Sequence, residues 1–187
     1  MTDLELAAGV LLRSIVDACD INVGIDNELH NETPIRIANA WLEFLSGYKD
    51  DPKEILSKQF QVEENEMVVV RGIEFVSMCE HHLLPFVGLV SVGYIPNNKK
   101  VAGLSKIPRL VECFAKRLQL QERIGTEIAN AIEAHLDVKG VAVNIVSKHS
   151  CASLRGVKQT NMEMVTSVLR GSFKKAEARN EFLSLIK

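Results

Sequence analysis

Apolar residues at Leu4, Ala8, Leu11, Ile15 and Cys19 fall on one side of a 3.6-residue repeat, so residues 3–19 predict an amphipathic helix. A polar turn follows, ending at Asn31-Glu32. The next stretch opens with Thr33 in the manner of an N-cap and Pro34 at the first helical position. It continues through Ile37, Trp41, Phe44 and Leu45, and Gly47 reads as its stop. Residues 1–60 therefore predict a helical arm, bounded by Asp50-Asp51-Pro52, ahead of a domain over 61–187.

From Met67 the pattern changes. β-rich runs cover 67–78, 86–95 and about 101–104, with Asn97-Asn98 as a turn signal. Two helices follow, one from Ser105 burying Leu110, Val111, Phe114 and Leu118, the other over about 121–136 burying Ile124, Ile128, Ala131 and Ile132. Val141, Val143 and Ile145 alternate with Ala142 and Asn144, as in a half-buried strand. A last strand is expected near 162–170, and a helix from 174 through Phe182 and Ile186. Strand pair, helix pair, strand pair predicts an α+β domain with an antiparallel sheet and two helices packed on one face.

Composition narrows the classes. At 187 residues with 47% hydrophobic content the chain can bury a core of its own. A net charge of -2 argues against wholesale attraction to nucleic acid or an anionic membrane. No apolar run approaches the roughly 20 residues a bilayer span requires. Met1-Thr2-Asp3-Leu4-Glu5 lacks the basic and apolar regions of a signal peptide, so a cytoplasmic protein is expected.

In a reducing compartment the four cysteines point to metal or chemistry rather than disulfides. Cys19 and Cys113 lie in apolar helical patterns and read as small hydrophobes. Cys79 and Cys151 have polar, histidine-bearing neighbours. Cys79-Glu80-His81-His82 supplies a thiolate and an imidazole three positions apart, and adjacent histidines point different ways, so one of the two is an expected ligand. His149-Ser150-Cys151 closes a predicted strand. If the chain stays extended there, His149, Cys151, Ser153 and Arg155 share a face. Three N/S ligands would leave a fourth tetrahedral position open, the hallmark of catalytic zinc. Zinc lowers the pKa of bound water to roughly 7, and an unligated imidazole, His149 or His81, could move protons. The bland alternative is a chance cluster of surface histidines and buried cysteines. The H-E-x-x-H of metalloproteases, the deaminase H-x-E with P-C-x-x-C, and the C-x-D-x-R of carbonic anhydrases are all missing.

At these residues the sequence resembles the GTP cyclohydrolase I family. The resemblance is carried by Ser77-Met78-Cys79-Glu80-His81-His82-Leu83-Leu84-Pro85-Phe86, Tyr94-Ile95-Pro96, Gly103-Leu104-Ser105-Lys106 and Gln119-Leu120-Gln121-Glu122-Arg123. It continues through His149-Ser150-Cys151, Arg155-Gly156-Val157 and Val165-Thr166-Ser167, and reaches Thr33-Pro34-Ile35-Arg36-Ile37-Ala38 in the arm. It implies a tunnelling fold, in which subunits pool their sheets into a barrel and two pentameric rings stack as a homodecamer with sites at subunit interfaces. It also implies a reaction: GTP is opened at the guanine imidazole ring, C8 leaves as formate, the ribose rearranges and 7,8-dihydroneopterin triphosphate forms. That product would feed tetrahydrofolate, pterin or 7-deazaguanine synthesis. By resemblance Cys79, His82 and Cys151 match zinc ligands, His149 the acid/base, and His81 a residue near the ribose.

The substrate positions also have a physical reading. Ser105 looks like an N-cap, and Lys106 and Arg109 share the first-turn face of its helix, where cations oppose the helix dipole unless an anion completes the site. The triphosphate would be that anion; two solvated cations are the alternative. Arg36, in the first turn of the second helix, follows the same logic, and the resemblance implies that it reaches the phosphates of a neighbouring subunit; Arg155 completes the basic set. Glu122 opens a helix, where a carboxylate is ordinarily just favourable to the dipole; by resemblance it matches the guanine-binding carboxylate, whose two acceptors suit the N1-H and N2-H2 donors that adenine lacks. Gln121 is expected to contribute through its backbone. His30 and His135 read as surface or helix-end histidines. Ala152-Ser153-Leu154 stands where many members carry a methionine-rich segment, and Asn39 where some have a basic residue. Competing readings are a zinc-stabilised ring scaffold without turnover, and a purine hydrolase that stops after ring opening.

Overall fold

The computed structural model describes residues 2–20, 29 and 31–187, and divides the chain into two compact units, Met1–Leu45 and Ser46–Lys187. His30 and most of the polar turn after the first helix lie outside the described residues.

The first unit pairs α1 (Asp3–Ala18) with α2 (Thr33–Phe44). Thr2 and Glu5 start α1 as a capping box: Thr2 Oγ1 accepts from the Glu5 N–H at 3.3 Å, and the Glu5 carboxylate accepts from the Thr2 N–H at 2.7 Å. Small residues let the helices approach. Ala8 and Ala38 are buried, and a Cβ on Gly9 would lie 3.6 Å from the Pro34 ring. Leu4, Leu11 and Ile15 from the expected apolar face remain exposed, and so does Cys19, which follows α1 instead of packing as a small hydrophobe. Thr33 does not cap α2. Glu32 holds the cap position with helical backbone and no capping side chain, while Pro34 sits in the first turn as expected.

The second unit opens with a 3-10 turn, Ser46–Lys49, and a short helix α3 (Pro52–Ile55) whose start is capped by Asp51. The expected arm extended to residue 60, but the contacts of 46–61 lie here. The Gly47 N–H donates to Lys116 O at 3.0 Å, and β1 (Gln59–Gln61) pairs antiparallel with β4 (Lys100–Ala102). Gly47 is not a helix stop. A Cβ there would stand 2.3 Å from Cys113 O, so close backbone approach requires glycine.

The main sheet runs β5–β2–β3–β6–β7, with β2 (Val68–Cys79), β3 (Pro85–Pro96), β5 (Leu118–Gln119), β6 (Val138–His149) and β7 (Met164–Leu169). All pairings are antiparallel except the short β2–β5 edge. A register shift between Val70 and Ile73 contains Gly72 at φ +71°, a bulge conformation suited to glycine. Between β4 and β6 come α4 (Lys106–Ala115) and α5 (Gln121–His135). Their Leu110, Val111, Ile124, Ile128 and Ile132 meet Ile73, Phe75, Val90, Val143 and Ile145 of the sheet in one buried cluster. Each such side chain contributes about 1.5–3 kcal/mol through burial.

The expected α+β architecture, with two helices packed on one sheet face, is therefore present. The opposite face is partly covered too. A 3-10 turn, Gly171–Lys174, and α7 (Ala176–Leu185) bring Phe173 and Phe182 together edge to face, and both pack with Ala142. Val141, Ala142 and Val143 are consequently all buried, and the alternation read from the sequence marks two different cores rather than core and solvent.

Candidate metal centre

β2 delivers Cys79 to a tight reversal into β3. The Cys79 N–H donates to Leu84 O at 2.9 Å, the Leu83 N–H donates to Cys79 O at 2.8 Å, and Leu83 takes a left-handed φ of +54°. For a branched-chain residue that conformation is uncommon, and such positions gather at functional turns. The reversal brings His82 Nδ1 to 3.9 Å from Cys79 Sγ. His81 stands outside the donor group, its ring 6.2 Å from that of His82 and nearly perpendicular to it. Outside the reversal, Arg123 of α5 donates through both terminal nitrogens to the Glu80 carboxylate at 2.6 and 3.0 Å, and the Glu80 N–H donates to Gln119 O. That pairing holds the Glu80 carboxylate below its ordinary pKa.

β6 supplies the other half. His149, at its end, pairs in register with Phe86 and stacks on that ring at 4.4 Å with 7° between planes. The chain does not stay extended beyond it. Ser150–Ser153 form a helical turn, α6, so the shared face expected for His149, Cys151, Ser153 and Arg155 is broken. The turn carries Cys151 to the hairpin, where the donor atoms of Cys79, His82 and Cys151 lie within 4.8 Å of one another. Cys79 is buried, Cys151 half-buried and His82 exposed.

This group could hold a metal. Tetrahedral zinc with two thiolates and an imidazole would separate the donors by about 3.5–3.8 Å, close to the 3.9 Å between Cys79 and His82. Burial pushes the Cys151 thiol up, and Cys79 beside it pushes the same way, while Arg155 opposes them. Ion binding must therefore release protons. Burial lowers the pKa of His149 and the Glu122 carboxylate works against that shift, which places Glu122 within electrostatic reach of the imidazole.

Glu122 and Arg155 are exposed, at the start of α5 and just after α6. Ser105 occupies the position before α4, but with helical backbone and no capping hydrogen bond, so its exposed hydroxyl is not spent on the helix. Lys106 and Arg109 line a polar cleft of about 550 Å³ whose other walls include Lys49, Asp50, Asp51, Glu54 and Glu112. Those carboxylates were not foreseen as neighbours of the two cations. Arg109 also borders an apolar cleft of about 630 Å³ against Ile73, Phe75 and Leu89. Neither cleft is lined by Cys79, His82 or Cys151. Arg36 belongs to the first unit, on α2, and pairs with Glu32. His135 ends α5, where its carbonyl accepts from the Gln59 side chain.

Two features escaped sequence reading, the Phe86 stack and the side chain of Gln121. Gln121 is buried and bonded to Ser147, His149, Ile145, Met164 and Thr166. A glutamine opening a helix after a β-like run gives no hint of this; only the packing of α5 across β6 and β7 does.

Residues 12–187 match the family model described as GTP cyclohydrolase I. The chain belongs to the GTP cyclohydrolase I family. It is 57% identical over 158 residues to a GTP cyclohydrolase 1 of Campylobacter lari, covering 83% of this chain and 82% of that protein. A GTP cyclohydrolase 1 of Dehalococcoides mccartyi is 50% identical over 163 residues, covering 86% of each. Among solved structures, the archaeosine synthase QueF-Like in the apo form overlaps at a TM-score of 0.48 and 18% identity, covering 59% of this chain and 98% of that one. The long elements of the second unit run β2, β3, α4, α5, β6, β7, as the tunnelling fold expected of the GTP cyclohydrolase I family requires. Among the described residues no helix is long and apolar enough to cross a membrane.

Proposed function

We propose that the chain is a zinc-dependent GTP cyclohydrolase. It opens the purine ring of GTP by hydrolysis, releases C8 as formate and rearranges the remainder to 7,8-dihydroneopterin triphosphate, the entry to tetrahydrofolate, pterin or 7-deazaguanine synthesis. The observation that carries this reading is the convergence of Cys79, His82 and Cys151 beside an imidazole, His149, that is spent on none of them. Zinc in such a group would supply Lewis acidity and an activated water at neutral pH.

The rest is the work of side chains. His149, kept neutral by burial, accepts and returns protons at the ring-opening centre. His81, which is not one of the converging donors, serves the ribose. Glu122 accepts from the N1–H and N2–H2 of guanine, which selects GTP over ATP because adenine would leave the carboxylate unpaired. Gln121 contributes to that wall through its backbone. Ser105, Lys106, Arg109 and Arg155 hold the triphosphate, with Arg36 of a neighbouring copy. Loss of bidentate guanine pairing in Glu122→Gln is expected to raise the KM for GTP.

Assembly as a homodecamer with sites between subunits fits the apolar residues left exposed on β2 and β3: Val76, Val87 and Leu89 are 42%, 49% and 48% exposed. Free cysteines are consistent with a cytoplasmic setting. The deciding experiment supplies GTP to zinc-replete protein and assays formate, together with the fluorescent pterin formed on oxidation. A zinc-loaded protein that releases no formate defeats the reading, and a product retaining a formyl group points to a hydrolase that stops at ring opening.

A further inference from the structure

Gln121 is 1% exposed, and its amide is oriented by its partners. The Nε2 end donates toward Ile145 O at 3.2 Å, Met164 O at 3.0 Å and Thr166 Oγ1 at 3.1 Å. Two of these are carbonyl oxygens, which only accept, so reversing the amide would set oxygen against oxygen. The Oε1 end must then face Ser147 Oγ, which donates to it, and His149 Nε2 at 3.1 Å.

An amide oxygen has no hydrogen to give, so the bond to His149 exists only if Nε2 carries one. A neutral imidazole has a single N–H, and its Nδ1 is left with the free lone pair. The Phe86 stack fixes the plane of the ring, and the bond to Gln121 fixes which edge faces inward, because a half-turn would offer Gln121 a carbon.

We infer that Gln121 is a positioning residue that locks His149 in its Nε2–H tautomer and presents Nδ1, not Nε2, to the reacting groups. This rests on the cyclohydrolase reading for its chemistry and on geometry alone for the tautomer. Beyond the backbone contribution expected of Gln121, it gives the side chain a role in supporting the acid/base.

Two measurements test it. Solid-state 15N NMR of the zinc-loaded, histidine-labelled protein, with the His149 signals identified by their loss in His149→Ala, is expected to show a protonated Nε2 and an unprotonated Nδ1. A protonated Nδ1 overturns the proposal, whether or not the protein turns over GTP. In formate release, Gln121→Met is expected to lower kcat by about 10²-fold, with zinc content retained and the KM for GTP within about twofold of the parent. In the His149→Ala background the same substitution should cost nothing further, since there is no imidazole left to orient. An undiminished loss there, or a rise in KM with kcat unchanged, would mean that Gln121 touches substrate. Should Gln121→Met fail to fold, the NMR assignment decides alone. Parent enzyme that releases no formate would defeat the functional reading and leave the tautomer to the spectrum.

Discussion

Two cysteine environments within the second unit differ in a way that their acidities do not reveal. Cys113 on α4 is wholly buried and engaged. Its Sγ lies 3.3 Å from Arg117 Nη2 and 3.9 Å from both Gly47 O and Asp50 O. The Arg117 guanidinium in turn covers the rings of Phe114 and Tyr48 at 4.8 and 5.5 Å. Cys79 and Cys151 come from a strand end and a helical turn far apart in sequence, and face each other and an exposed imidazole. Burial pushes both the Cys113 and Cys151 thiols up. What separates them is convergence. A thiol set among backbone carbonyls and a guanidinium already engaged with aromatic rings belongs to the packing, while two thiols and an imidazole drawn from a hairpin and a distant helical turn onto one point leave room for something to be held.

The sharpest way to break this comparison is to exchange serine for each thiol at the convergent group. Cys79→Ser or Cys151→Ser is expected to lose zinc, measured by elemental analysis, and with it at least about 10³-fold in formate release, since a hard hydroxyl replaces a soft thiolate donor. His149→Ala should keep zinc and lose about 10²–10⁴-fold in turnover, the usual worth of a positioned acid/base. Metal loss equal to that of Cys151→Ser would make His149 a ligand instead. Cys113→Ala is expected to leave metal and turnover untouched while costing about 1–2 kcal/mol in urea unfolding, the price of a small core void; loss of zinc would erase the distinction drawn here.

The smallest effect is a rate. A raised pKa means less thiolate at a given pH, and thiolate is the reactive form. At pH 8 exposed Cys19 should therefore be alkylated first and Cys113 last, with Cys79 and Cys151 becoming reactive only once a chelator removes the ion. Protection of Cys19 in preference to Cys113 would contradict the burial assigned to them.

Much of this was visible in the chain beforehand, and the misses have definite causes. Long periodic segments were readable: α4, α5, β2, β3 and β6 lie within a few residues of their expected bounds. The ligand candidates were readable because cysteine and histidine beside polar neighbours are chemically conspicuous. The route by which Cys151 reaches Cys79 was not. Strand alternation predicts an extended chain past His149, whereas Ser150–Ser153 turn helical, a local choice that hydrophobic periodicity cannot register over four residues. Ser105 and Thr33 looked like caps from residue type, yet neither side chain makes a capping bond. Two-residue β5 and three-residue β1 are too short for any pattern. The Gln121 network is tertiary, joining residues 24 to 45 positions apart, and no local window contains it.

The clamp between Glu80 and Arg123 ties the ligand-bearing hairpin to the very helix whose first turn carries Gln121 and Glu122. Both partners are partly open to solvent, so dissolved ions weaken the tie. Ionic strength is thus expected to act on this molecule twice, once by shielding the proposed triphosphate substrate from Lys106, Arg109 and Arg155, and once by slackening the mechanical link between the hairpin and the helix end proposed to orient the imidazole.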